Sequence, residues 1–87
     1  MEYRIIIMKF VIMQEKGKKL LKKQIALKLY QVRNALDIKQ KDLEEEGIIS
    51  QSQLSKIENG ELNISAVILY LLARRYNKSI DYFFDNN

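Results

Sequence analysis

The stretch from Gly47 to Gly60 constrains the fold most, because it leaves room for only one very short helix. Glycine readily takes the left-handed backbone conformation with which many helices end. Between the two glycines, Ser50 is a good helix N-cap, and Gln53 three residues later completes the pattern of a capping box. The pattern therefore predicts a helix over residues 51–58 or 51–59.

Hydrophobic spacing in the rest of the chain predicts further helices around this one. The 87 residues suffice for one domain with a single small core. Apolar residues recur at three- and four-residue spacing from Lys18 to about Asp37, which predicts a first helix. Others are predicted at about 39–46, at about 65–76 and after the cap Ser79. The helix at 65–76 is apolar on most sides, so we expect it at the centre of the bundle. The predicted fold class is all-α, a compact bundle of five short helices. The stripe of the first helix consists of Leu21, Ile25, Leu29, Val32 and Leu36.

The N-terminal segment has a different pattern. Tyr3–Met13 is rich in Ile, Val, Phe and Tyr, which predicts a β-strand. It is too short to cross a membrane, which takes about 20 residues. An exposed strand must pair, and no later segment resembles a partner strand. We therefore predict that two copies pair their arms in a homodimer. Irregular packing of the segment, or its continuation into the next helix, is the open alternative. The expected division is an arm over residues 1–17 and a helical domain over residues 18–87.

The composition excludes most kinds of metal site and catalytic site. The chain has no cysteine and no histidine, which removes disulfides, thiolate metal sites and the commonest general base. We therefore expect no metal, no cofactor and no catalytic residue. An enzyme would have to rely on carboxylates such as Glu44–Glu46, which resemble a solvated charge run. The charge is uneven: residues 1–40 carry +7 and residues 41–87 carry −3. A basic half can attract a polyanion, although a solvated lysine-rich helix face is an equally open interpretation.

The second and third predicted helices, joined by a short turn, form a candidate helix-turn-helix. On a helical wheel, Leu54 and Ile57 define the buried face of the third helix. The opposite face is small, polar and rich in amides, with one cation and no carboxylate. Such a face suits base edges and phosphates in a major groove, although a merely solvated face is the alternative. Its members are Ser52, Ser55, Lys56 and Asn59, with Gln51 at the tip.

One ion pair is predicted behind this helix. The wheel places Glu58 nearer the buried side than the free side. Arg33 flanks the apolar stripe of the first helix in the same way. We predict that Arg33 and Glu58 pair and hold the third helix against the first.

The stretch Gln40–Gly60 (QKDLEEEGIISQSQLSKIENG) resembles the phage-repressor-type helix-turn-helix superfamily, also called the XRE or Cro/C1 type. The similarity lies in Gln40 at the start of the second helix, in Leu43 and in the Ser-Lys-Ile-Glu-Asn-Gly block at 55–60. The tail 77–84 (NKSIDYFF) resembles the closing segment of that superfamily. Within it, residues 47–65 (GIISQSQLSKIENGELNIS) are similar to Rgg/PlcR-like regulators.

The resemblance implies a lambda-repressor-like bundle that binds double-stranded DNA as a cytoplasmic transcriptional regulator, with no small-molecule substrate. It places Arg33 and Glu58 at the internal ion pair of the superfamily. Ser50 is expected to act as a cap first and a DNA contact second. The implied contacts to DNA are Gln51, Ser52 and Lys56 on bases and Gln40 and Asn59 on phosphates.

Some features depart from the superfamily. Glu44 stands where a small residue is usual, so we expect the second and third helices to cross differently. The acidic run Glu44–Glu46 is expected to point away from phosphates. Rgg/PlcR-like relatives also carry a peptide-sensing domain, which would begin where this chain ends at Asn87, so peptide sensing is not predicted. A protein-interaction module on the same fold, such as an antitoxin or adaptor, is the alternative function.

Overall fold

The computed structural model describes residues 14–85, and every regular element of secondary structure in this part of the chain is a helix. The all-α class is confirmed, and the three inner helices begin and end within one residue of the predicted positions. The elements are α1 (Gln14–Ala35), α2 (Gln40–Glu45), α3 (Gln51–Glu58), α4 (Ala66–Arg75) and a 3₁₀ helix (Ile80–Phe83).

The two ends of the described chain differ from the prediction. The last element is a four-residue 3₁₀ helix, so the described bundle has four α-helices rather than five. A segment this short favours the tighter i→i+3 hydrogen bonds of a 3₁₀ helix. At the other end, α1 begins at Gln14, four residues before the predicted start at Lys18. The sequence did not indicate this earlier start, because Gly17 is a poor helix former. The predicted strand Tyr3–Met13 and the arm-paired dimer lie outside the described residues.

The core lies where the four α-helices and the 3₁₀ helix meet. Leu29 and Val32 of the α1 stripe are buried, but Leu21 and Leu36 keep 42% and 48% of their surface exposed. No side chain described between residues 16 and 24 is buried, so the other elements cover only the second half of α1. The fully buried large side chains are Leu29, Leu43, Leu54, Leu72, Tyr76 and Phe83.

Helix α4 is not central, and that prediction was wrong. Only one of its faces is buried, through Leu69, Leu72 and Ala73. Val67 and Tyr70 on the opposite side are 68% and 51% exposed. A domain of this size has too few elements to surround any one helix, so even a largely apolar helix is covered on one side only.

The short length of α3 follows from its two ends, as predicted. Gly47 and Gly60 both adopt the left-handed conformation, each with φ 77°. After α3, the Glu61 N–H donates to the Lys56 carbonyl over 2.9 Å. This bond spans the glycine and satisfies a carbonyl that the helix end would otherwise leave open.

Between residues 14 and 85, no helix is both long enough and apolar enough to cross a membrane.

Candidate nucleic-acid interface

Helix α3 presents one face to the core and the other to solvent. Leu54 and Ile57 are 0% and 5% exposed and anchor the helix from behind. The predicted orientation of the helix is therefore confirmed. Four of the residues predicted to contact DNA lie on the accessible side, and all four are exposed: Gln51, Ser52, Lys56 and Asn59.

The start of α3 is held by two oxygen atoms from different parts of the motif. The Ser50 Oγ accepts a hydrogen bond from the Gln53 N–H over 3.1 Å, so the predicted cap is present. The Gln53 side chain bonds the Ser50 hydroxyl, 3.3 Å away, rather than the cap's backbone N–H. Only half of the predicted capping box therefore forms.

The second oxygen comes from Glu44, which sequence reasoning did not place here. Its Oε2 accepts a hydrogen bond from the Gln51 N–H over 2.9 Å. A carboxylate at this end also interacts favourably with the helix dipole. Glu44 is exposed, so its side chain is accommodated without being packed between α2 and α3. The bond couples the orientation of α2 directly to the residue at the tip of α3.

The end of α3 is fixed by the predicted ion pair, which is confirmed. Arg33 donates from Nε to Glu58 Oε2 over 2.8 Å and from its second terminal nitrogen to Oε1 over 2.9 Å. The two side chains are 9% and 3% exposed. The hydrogen bond to Glu58 raises the pKa of the Arg33 guanidinium, and burial lowers it by less. The remaining terminal nitrogen of Arg33 donates to the Ile38 carbonyl over 2.8 Å, so the charge is well satisfied.

Gln40 belongs to the same network. Its Nε2 donates to Glu58 Oε1 over 3.0 Å, and the residue is half-buried at the first position of α2. Sequence reasoning placed Gln40 on a phosphate and missed this internal bond. An amide nitrogen carries two hydrogens, so one remains for a phosphate oxygen. The structure thus brings together Gln40, Arg33 and Glu58 behind α3.

The acidic run at the end of α2 is paired rather than free. Glu44 bonds α3 as described above. Glu45 lies 3.8 Å from the ammonium of Lys41 one turn earlier. Glu46 accepts two hydrogen bonds from Arg75 at the end of α4, over 2.7 and 3.0 Å. The Arg75 guanidinium lowers the pKa of the Glu46 carboxyl. No local sequence signal links Glu46 to Arg75, because they are 29 positions apart.

Comparison with known proteins agrees with this geometry. Residues 29–83, well over half of the chain, match the helix-turn-helix family. No curated protein and no solved structure matches the chain. The matched segment contains all of α2, α3 and α4, both partners of the buried ion pair and the exposed face of α3. The chain therefore belongs to the helix-turn-helix family of the phage-repressor type (XRE, Cro/C1), a family of DNA-binding domains and not of enzymes.

Proposed function

We propose that this protein is a transcriptional regulator that binds double-stranded DNA sequence-specifically, with α3 in the major groove. One observation carries the proposal: a short helix is anchored through Leu54, Ile57 and Glu58 and leaves a polar, uncharged-to-cationic face exposed. Recognition helices need this combination, since one face must be rigidly held while the other reaches base edges.

Each exposed residue has a role suited to its chemistry. The amide of Gln51 can make a two-point contact with adenine, worth about 1–3 kcal/mol of discrimination. Ser52 and Lys56 follow on the same face and contact neighbouring bases. Asn59 at the end of α3 and the free amide hydrogen of Gln40 contact phosphates, which set the position of the helix. Ser50 acts mainly as the cap of α3.

We further propose that the protein binds as a homodimer. A single small module buries too little surface for tight specific binding, whereas two modules read half-sites about 10 base pairs apart. The predicted strand Tyr3–Met13 within the arm is our candidate for the pairing element. The similarity of residues 47–65 to Rgg/PlcR-like regulators stays a prediction, as does a cytoplasmic location.

The test begins with selection of a duplex from random sequence, followed by binding assays at several salt concentrations. We expect the double variant Gln51→Ala/Lys56→Ala to bind the selected duplex at least about 10-fold more weakly, from the lost base contact. The salt dependence of binding should also become slightly weaker, because the variant lacks one cation that displaces counterions from the duplex. Gln31→Ala/Lys78→Ala is the matched control, because it removes the same residue types from exposed positions outside α3. A flat salt response of the unaltered protein, or equal losses in both variants, would contradict the proposal.

A protein-interaction module is the second candidate, and one observation favours it. Helix α4 exposes Val67, Tyr70 and Leu71 together on its outward face, and neighbouring exposed apolar side chains are typical of interaction sites. The same variants separate the two functions. Partner binding would survive Gln51→Ala/Lys56→Ala and fail on Val67→Ser/Leu71→Ser, whereas DNA binding by α3 follows the opposite pattern.

A further inference from the structure

The first half of α1 is a dense cationic surface outside the part of the chain that matches the family. Five of the eight residues from 16 to 23 are lysines, and none is acidic. Four of the five lysines are exposed and Lys22 is half-buried. The family match begins only at residue 29. This segment lies before the matched residues in the same helix, and we call it the lysine extension (Lys16–Lys23).

The lysine extension lies beside the end of α3. An open groove of about 310 Å³ is lined by Lys19, Lys22, Lys23 and Gly60, the left-handed glycine two residues after α3. Lys23 also lines a neighbouring groove of about 390 Å³, which includes Asn59. The lysine-lined groove and this larger groove, which contains one lysine, thus adjoin each other beside the C-terminal end of α3.

The charge around these grooves favours an anion. Glu58 lines the larger groove, but both of its oxygens are bound by Arg33. Across residues 16–85, where side chains are described, the ion pairs use Arg33, Lys41 and Arg75 and no lysine of the extension. Like charges three or four residues apart also destabilise a helix. Lys19 repels both Lys22 and Lys23 in this way, and a bound anion would relieve that repulsion.

We infer that the lysine extension is a second DNA-contacting surface, which binds backbone phosphates of the same duplex beyond the segment that α3 reads. This inference rests on the proposed function. Ammonium groups bind phosphates as point charges without reading sequence, so the surface adds affinity rather than specificity. Lys19 and Lys23 are one helical turn apart, about 6 Å along the axis. That spacing suits two separate phosphates, since each strand carries one per 3.4 Å, or roughly two over this length.

The test compares two double variants of the full chain that remove the same charge. Lys19→Gln/Lys23→Gln alters the lysine extension, and Arg74→Gln/Lys78→Gln removes two exposed cations near the end of α4. The probe is the duplex selected by the unaltered protein. We expect the first variant to lower the slope of log affinity against log salt by about 1.8, because two phosphate contacts are lost. The control should keep the slope of the unaltered protein, and Lys19→Arg/Lys23→Arg should restore it.

Two further readouts make the result specific. Repeated selection with Lys19→Gln/Lys23→Gln should return the same sequence, because base contacts by α3 are untouched. The selected duplex is then shortened stepwise from its ends. At some length, shortening should weaken DNA binding by the unaltered protein but leave DNA binding by Lys19→Gln/Lys23→Gln unchanged. Circular dichroism checks that both double variants stay helical. Glutamine is nearly as good a helix former as lysine, so unfolding is not expected.

The possible failures are distinguishable. Should the unaltered protein bind no duplex, the proposed function and this inference fall together. Should Gln51→Ala/Lys56→Ala abolish binding while Lys19→Gln/Lys23→Gln keeps the original salt slope, only this inference is overturned. A loss of slope in the Arg74→Gln/Lys78→Gln control as large as in the extension variant would also overturn it, because the effect would then reflect net charge alone.

Discussion

Two arginine–glutamate pairs in this protein have nearly the same geometry and very different surroundings. Arg33 binds Glu58 through two hydrogen bonds of 2.8 and 2.9 Å, and Arg75 binds Glu46 through two of 2.7 and 3.0 Å. The side chains of the first pair are 9% and 3% exposed, whereas those of the second are 39% and 38% exposed. The same chemistry at nearly the same distances therefore occurs once in the interior and once at the surface.

The comparison shows that the contribution of an ion pair to stability depends on its environment. In the interior, loss of one partner leaves a charge without hydration, which is strongly unfavourable. At the surface, water replaces the lost partner and salt screens the pair. The buried pair also has the Ile38 carbonyl and the Gln40 amide as further partners. We therefore expect Arg33–Glu58 to position α3, and Arg75–Glu46 to adjust only how α2 and α4 meet.

Breaking the buried pair should have the largest effect. Glu58→Ala leaves Arg33 unpaired in the interior and should lower the free energy of unfolding by about 3–5 kcal/mol. Urea denaturation of the variant and of the unaltered protein measures this difference in the free energy of unfolding. Replacing both residues by methionine is the control, because it removes the charges together and should recover much of the loss. A loss below about 1 kcal/mol for Glu58→Ala would show that the pair behaves as a surface pair does.

Removing the neutral partner sharpens the comparison at a smaller scale. Gln40→Ala deletes one hydrogen bond to the buried carboxylate and should lower the free energy of unfolding by about 1.5 kcal/mol. The salt dependence of DNA binding should stay unchanged, because the amide carries no charge to release counterions. Unchanged stability together with weaker DNA binding would instead mean that Gln40 serves the phosphate alone.

The surface pair should show the smallest effect, and one that depends on pH. The Arg75 hydrogen bonds hold the pKa of the Glu46 carboxyl below its ordinary value of 4.5. Its contribution to stability is therefore present above that ordinary value and is lost as the pH falls through the lower folded-state pKa. Glu46→Gln should lower the melting temperature slightly near neutral pH at low salt. Well below pH 4.5 it should make no difference. A difference that persists in acid or in high salt would contradict this interpretation.

Most of the features that were predictable from sequence depend on short-range interactions. The bounds of α3 follow from Gly47, Ser50 and Gly60, each of which acts within one helical turn of the helix end. The Arg33–Glu58 pair was also predictable although 25 positions separate the partners. The wheel placed Arg33 and Glu58 beside the buried faces of their helices, from which the pair was predicted, and the resemblance to a known superfamily placed them at its internal ion pair.

The features that were missed depend on how the helices meet. Glu44 bonds the Gln51 N–H only because α2 and α3 are docked at a particular angle and distance. The outward face of α4 was missed for a related reason. Its apolar pattern is compatible with burial on every side, and only the number of neighbouring elements decides which residues stay exposed.

In this protein, the amino-acid sequence alone determines the all-α class of the described residues, the bounds of α2, α3 and α4, and the buried face of α3. These features depend on caps, glycines and apolar spacing, which act over a few neighbouring residues. Tertiary packing alone decides that Glu44 caps α3, that Arg75 pairs with Glu46 and that Gln40 joins the buried pair. The physical reason is that side-chain hydrogen bonds require alignment within a few tenths of an ångström. Such alignment between segments distant along the chain exists only after the helices have packed.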